Sequence, residues 1–130
     1  MIDQSLRSII LADSTITSLI ASNGVYPQRL PQDVAKPCII YQMGDGIPQL
    51  TAGSTSDLKR YTVDLIVVAE KYSQTREITQ ALISLFQGLG TTQSGDEVKG
   101  CVVHNVFNDF EETLQLYSAT LDIVITVKES

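Results

Sequence analysis

Apolar residues near the start of the chain recur at the spacing of a helical face. They form two triplets with i, i+3, i+4 spacing, namely Leu6, Ile9 and Ile10, then Ile16, Leu19 and Ile20. At about 100° per residue, a single straight helix would rotate the second triplet by roughly 80° from the first. The Asp13-Ser14 pair between the triplets has side chains that cap helices. The pattern therefore predicts either one helix with a wide buried face or two short helices that break at Asp13-Ser14, and the break is the favoured interpretation.

Four later segments have the composition and spacing of β-strands. Each is either a short apolar run or an alternation of apolar and polar residues with a period of two. The predicted strands cover residues 38–43, 58–70, 99–107 and 118–127. An apolar stripe from Ile78 to Leu89 predicts a helix between the second and third strands. Ser73 is its expected N-cap, and Gly88 and Gly90 are expected to end it.

The order of these elements predicts the fold class. Helix, strand, strand, helix, strand, strand places one hairpin on each side of a helix, which is typical of an α+β fold. We therefore predict a four-stranded antiparallel sheet with the helices packed on one face. At 130 residues, the chain is expected to form one domain over residues 1–130.

Residues 44–57 are predicted to form a long, flexible loop. This segment is rich in Gly, Ser, Thr, Asp and Pro, and only Ile47 and Leu50 are apolar anchors. A loop of this length in a compact domain is usually functional. We predict that it forms an assembly interface through six residues, which are Asp45, Ile47, Leu50, Thr51, Ser54 and Asp57.

A second polar segment, Asn108-Asp109-Phe110-Glu111-Glu112, is predicted to be an acidic turn between the last two strands. It lacks the alternating oxygen donors around a central glycine that calcium-binding loops have. Asp109, Glu111 and Glu112 are therefore expected to form either a solvated turn or a contact with a neighbouring subunit.

The charge of the chain argues against a nucleic-acid-binding protein. Nine Lys and Arg against fifteen Asp and Glu give a net charge of −6. Binding to a nucleic-acid backbone depends mainly on basic residues that release counterions. The only adjacent basic pair is Lys59-Arg60.

The residues that support catalysis are nearly absent from the sequence. His104 is the only histidine, and no Ser or Cys lies in a GxSxG context. Gly44-Asp45-Gly46 begins like a dinucleotide-binding motif but lacks its third glycine. Cys38 and Cys101 lie in apolar runs without a CxxC motif, and are expected to be buried and unpaired. We therefore expect no enzyme, no catalytic residue, no cofactor and no metal site.

The start of the chain, MIDQSLRSII, lacks the features of a secretory signal, and no apolar run approaches the roughly 20 residues that span a bilayer. No association with a membrane is therefore expected.

Several short motifs have the order and spacing of a known family. The first are Gly24-Val25-Tyr26-Pro27, Leu30-Pro31-Gln32 and Pro37-Cys38-Ile39-Ile40-Tyr41-Gln42. Leu11-Ala12-Asp13 precedes them, and Thr51-Ala52-Gly53, an alternating strand, a helix from Tyr72 and two closing strands follow. Together these motifs resemble the tail-completion, or tail-terminator, proteins of long-tailed bacteriophages over essentially the whole chain.

The resemblance implies a structural virion protein without catalytic residues. Such a protein is made in the host cytoplasm and forms a ring, expected to be a hexamer, at the head-proximal end of the tail. The ring ends polymerisation of the tail tube protein and joins the tail to a neck or head-completion protein. DNA passes through it without specific binding.

In such a ring, we expect the predicted loop and the acidic turn to lie on axial or lumenal faces, because an acidic lumen repels DNA. The alternatives are another neck, head-completion or tube-like protein, or a monomeric binding module.

Overall fold

The structure is a computed structural model that describes residues 2–21, 24–28, 35–44, 47–51, 54–93, 96–112 and 115–128. For residues 2–3, 47–51, 54–57 and 91–93, it describes the backbone only. The described elements are three helices and one β-sheet.

The helices are α1 (Ile2–Ala12), α2 (Ser14–Leu19) and α3 (Tyr72–Phe86). The predicted break at Asp13 is confirmed, since the Ile16 N–H donates to Asp13 Oδ1 at 3.1 Å and this bond caps α2. The prediction that Ser73 caps α3 is wrong. Lys71 holds the N-cap position without a side-chain hydrogen bond, and Ser73 lies in the first turn of the helix.

Seven strands form a single sheet. They are β1 (Val25–Pro27), β2 (Cys38–Met43), β3 (Ile47–Thr51), β4 (Ser54–Ala69), β5 (Thr91–Gln93), β6 (Asp96–Glu111) and β7 (Leu116–Lys128). The strand order is β1-β2-β4-β7-β6-β5, and β3 pairs with β4 beyond the end of β2. β1 runs parallel to β2 and the other pairs are antiparallel, so the sheet is mixed.

The predicted α+β class is confirmed, but the prediction of four antiparallel strands is wrong. The four predicted strands are β2, β4, β7 and β6, and these four are neighbours in the observed sheet. Three short strands extend it. Because β1, β3 and β5 lie at its edges, they need no alternation of apolar and polar residues, and this is the signal on which the prediction depended.

Most of the described residues in the long loop predicted over residues 44–57 instead form strands. Residues 47–51 form β3 and residues 54–57 begin β4, and these two strands pair as a hairpin with Thr51 opposite Ser54. Pro48 lies in β3, which has β4 as its only partner among the described strands. Proline is tolerated in such an edge strand because one side of the strand needs no hydrogen bond.

The main core lies between the helices and one face of the sheet. Its fully buried residues include Leu6 and Ile10 of α1, Ile78, Leu82 and Phe86 of α3, and Val63, Leu65, Leu121, Ile123 and Ile125 of the sheet. On the other face, a smaller cluster is formed by Cys38, Ile40 and Val68. No helix residue of the described chain belongs to this second cluster. One face of the sheet is thus covered by the helices, as the sequence predicts.

Candidate assembly surfaces

The described residues include one histidine and two cysteines, which are side chains that can support chemistry. They contain no group of three or more side chains that could hold a metal ion. His104 is exposed and lies at an irregularity in β6. Cys38 and Cys101 are buried and unpaired, as predicted, and burial raises the pKa of the Cys101 thiol to about 12. A thiol with so high a pKa is a poor nucleophile near neutral pH, because the reactive species is the thiolate.

No helix in the described part of the chain is both long enough and apolar enough to cross a bilayer.

The residues of the predicted interface loop lie in and around the β3–β4 hairpin. Ile47, Leu50 and Thr51 lie in β3, and Ser54 and Asp57 lie in β4. Asp45 lies outside the described residues. The structure therefore brings the five described positions together in one element that extends the sheet beyond β2. Their role in assembly stays a prediction.

The predicted acidic turn is for the most part the end of a strand. Asp109 and Glu111 lie in β6, and Glu112 follows in the turn towards β7. All three side chains are exposed. The prediction of a turn over residues 108–111 is wrong because these residues pair with residues 116–119 of β7, which the composition of the segment does not reveal. We call Asp109, Glu111 and Glu112 the acidic tip.

The outer edge of β6 has different neighbours along its length. β5 pairs with β6 only at residues 96–98. Further along, the turn that follows α3 covers the edge, because the Gly88 N–H donates to the Cys101 carbonyl at 3.0 Å and the Val103 N–H donates to Gln87 Oε1 at 2.9 Å. Beyond Val103, no described strand pairs with this edge.

The open part of this edge satisfies backbone donors with its own side chains. The Val106 N–H donates to Asn105 Oδ1 at 2.9 Å, and the Phe110 N–H donates to Asp109 Oδ1 at 2.8 Å. Side chains that occupy edge donors hinder the addition of a further strand. A contact at this edge is therefore expected to use side chains rather than backbone pairing.

Aromatic side chains lie at the same end of β6 and β7 as the acidic tip. Tyr117 of β7 contacts Phe110 of β6, with ring centroids 4.6 Å apart, and Tyr72 of α3, with centroids 6.0 Å apart. We call Tyr72, Phe110 and Tyr117 the aromatic cluster. Tyr72 and Phe110 are 52% and 37% exposed, and nearby Phe107 is 56% exposed. The sequence does not predict this cluster, because Tyr72 is far from Phe110 and Tyr117 in the chain and only the packing of α3 on the sheet brings the three rings together.

Basic residues lie at the opposite end of the pairing between β4 and β7. Lys59 and Arg60 of β4 and Lys128 of β7 are exposed there, and Lys59 pairs with Val127. We call Lys59, Arg60 and Lys128 the basic end. The neighbouring Lys99 forms an ion pair with Glu97 at 2.6 Å, which lowers the pKa of Glu97. The acidic tip and the basic end therefore lie at opposite ends of the paired central strands.

Two carboxyl groups face each other in the middle of the sheet. Asp64 of β4 pairs directly with Asp122 of β7, with Gln42 of β2 and Asn105 of β6 on either side in register. Burial, and then the charge and hydrogen bond of Asp122, raise the pKa of Asp64. Asp122 Oδ1 is buried and has no hydrogen-bond partner among the described residues. Only the register of the sheet brings these two residues together.

Comparisons with known proteins agree with this architecture. The chain is similar to a solved structure titled "Virion of native gene transfer agent (GTA) particle", with a TM-score of 0.75 and 13% sequence identity over 96% of this chain and 92% of that chain. At this identity, the likeness shows a shared fold. None of the curated proteins compared with the chain matches it. The family model "Tail completion protein gp17" matches residues 4–128, and the chain therefore belongs to this family of tail completion proteins.

Proposed function

We propose that this protein forms a ring at the head-proximal end of a long phage tail, where it ends polymerisation of the tube and joins tail to head. Membership in a tail completion family makes it a structural protein of the virion tail. The observation that supports the proposal most strongly is the match to that family over residues 4–128. The structural neighbour is also part of an assembled virion particle.

The described surfaces suit a subunit that associates head to tail. Such contacts need two different, complementary surfaces on each subunit, and they form a closed ring when the rotation between subunits allows. This chain has two unlike sheet edges, at β6 and at β3, and oppositely charged strand ends. We propose a homo-oligomeric ring, with a hexamer as the expected form.

The proposed partners are the tail tube protein on one side and a neck or head-completion protein on the other. The protein acts in this role without catalysis. DNA passes through the ring without specific binding, because the net charge of −6 disfavours adhesion to a polyanion. A lumen with net basic charge in the assembled ring would contradict this part of the proposal.

Electron microscopy of particles from a phage that lacks this gene tests the proposal. The expected result is tails of uncontrolled length that are not joined to filled heads, with normal particles restored by the wild-type gene. Joined tails of normal, fixed length would overturn it.

Mixing the purified protein with tail tubes separates this role from its alternatives. A terminator caps the tube end and stops its growth, whereas a tube protein polymerises by itself. A binding module remains a monomer and leaves the tube length unchanged.

A further inference from the structure

We propose that the acidic tip of one subunit docks against the basic end of the next subunit, and that this contact repeats around the ring. The inference rests on the proposed ring and names the surfaces that close it. The partner is a second copy of this chain, recognised by Lys59 and Arg60 through the carboxylates and aromatic rings at the end of β6.

Charge is the first argument. Copies of a chain with a net charge of −6 repel one another unless unlike charges meet at their contact. Asp109, Glu111 and Glu112 are exposed at one end of the paired central strands, and Lys59 and Arg60 are exposed at the other end of the β4–β7 pairing. Contact between these two ends replaces repulsion with attraction and also fixes which surface meets which.

The aromatic residues beside the acidic tip are the second argument. Tyr72, Phe107 and Phe110 are between 37% and 56% exposed. Exposed apolar surface with a polar rim marks interaction sites. Arg and Lys side chains bind the faces of aromatic rings as well as carboxylates, so the basic end complements both features. A lumen that merely repels DNA requires acidic groups but gains nothing from exposed phenylalanine. The aromatic residues therefore favour a subunit contact over the lumenal position expected from the sequence.

Geometry is the third argument. Lys59 is at one end of the pairing between β4 and β7, and Ala69, beside Tyr117, is at the other. Ten residues of β-strand span roughly 33 Å, so the two surfaces cannot meet within one subunit. Two unlike, complementary surfaces at opposite ends of a subunit produce head-to-tail association. Because Asn105 and Asp109 already cap backbone donors on the edge of β6, the docking contact uses side chains.

Charge reversal with rescue tests this contact. One variant carries Asp109→Asn, Glu111→Lys and Glu112→Lys at the tip, a second carries Lys59→Glu and Arg60→Glu at the basic end, and a third combines all five changes. The change Asp109→Asn keeps a side-chain oxygen that can accept from the Phe110 N–H. Native mass spectrometry of each variant, alone and with tail tubes, gives the concentration at which half of the protein is in rings. Circular dichroism checks that each variant is folded.

Each reversal is expected to raise the half-assembly concentration by about tenfold or more, and the combined variant is expected to recover most of the loss. Arg76→Glu reverses an exposed charge on α3 outside both surfaces and serves as the control, with an expected change below about twofold.

Salt gives a second measure that needs no variant. The half-assembly concentration of the wild-type protein should rise as ionic strength increases, because salt screens exposed charges.

The possible results separate this inference from the proposed function. If the wild-type protein forms rings and both reversal variants form them equally well, the proposed contact is wrong. The same holds if the combined variant does not recover. In both cases the ring remains as the proposed function. A wild-type protein that forms no ring, even at tube ends, overturns the proposed function and this inference with it.

Discussion

The pair of carboxyl groups at Asp64 and Asp122 gives a direct test of the sheet register. Like charges directly opposite each other on neighbouring strands destabilise a sheet. The change Asp64→Asn removes one charge and keeps the size and hydrogen-bonding capacity of the side chain. We expect it to increase the free energy of unfolding at pH 7.

The register sets the magnitude of this gain. Directly opposite residues have Cβ atoms about 5 Å apart, and two unit charges at that separation repel by about 0.8 kcal/mol in water and by about 3 kcal/mol at an effective dielectric constant of 20. Asp64 is only partly buried, so the lower value is the better guide. The expected gain is about 1 kcal/mol.

The pH dependence of the gain follows from the direction of the pKa shift. The pKa of Asp64 is higher in the folded protein than its ordinary value. The protonated carboxyl therefore stabilises the fold fully below the unfolded pKa of about 3.9, and this stability is lost as pH rises through the folded pKa. Asp64→Asn should consequently have little effect near pH 3.5 and its full effect at pH 7.

Urea unfolding followed by far-ultraviolet circular dichroism provides the assay, because the chain has no Trp to report by fluorescence. All variants are compared at a concentration at which they have the same mass in solution. Asp109→Asn is the matched control, since it removes one exposed charge from β6, and it should change stability by less than about 0.5 kcal/mol. A gain at pH 7 no larger than that of the control, or an equal gain at pH 3.5, would refute the reasoning.

Two further predictions concern buried groups. Ser5 Oγ of α1 donates to Asp96 Oδ2 of β6 at 2.6 Å, and both residues are buried. Ser5→Ala should therefore lower the free energy of unfolding in urea by about 1.5–3 kcal/mol. Ser18→Ala, at an exposed position, is the control and should be nearly neutral. Cys38 and Cys101 are buried, and burial raises the pKa of both thiols. A thiol reagent at pH 8 should therefore leave both cysteines unmodified in the native protein and should modify both in urea. Rapid modification in native buffer would contradict their burial.

The sequence by itself determined the elements whose signals are local or repeat along the chain. The helix break at Asp13 depends on a capping side chain three residues from the N–H that it accepts. The central strands β4 and β7 alternate because one face of each is buried beneath the helices. The motifs that resemble tail-completion proteins are likewise short, and the family match confirms them.

The tertiary structure alone decided where strands begin and end at the edges of the sheet. β1, β3 and β5 are only three to five residues long, and their extended conformation depends on hydrogen bonds to a neighbouring strand rather than on their own residues. The end of β6 has the composition of a turn, yet residues 108–111 remain extended because β7 pairs with them. No local pattern in these segments encodes the partner strand.

The candidate surfaces were likewise determined partly by the sequence and partly by the tertiary structure. Composition was sufficient to select Asp109, Glu111 and Glu112 as a group. It did not show that an aromatic cluster lies at the same end of β6, that Lys59 and Arg60 lie at the opposite end of the β4–β7 pairing, or that Asp64 faces Asp122. These relations join residues that are distant in the chain, and only the strand register and the packing of α3 on the sheet bring them together.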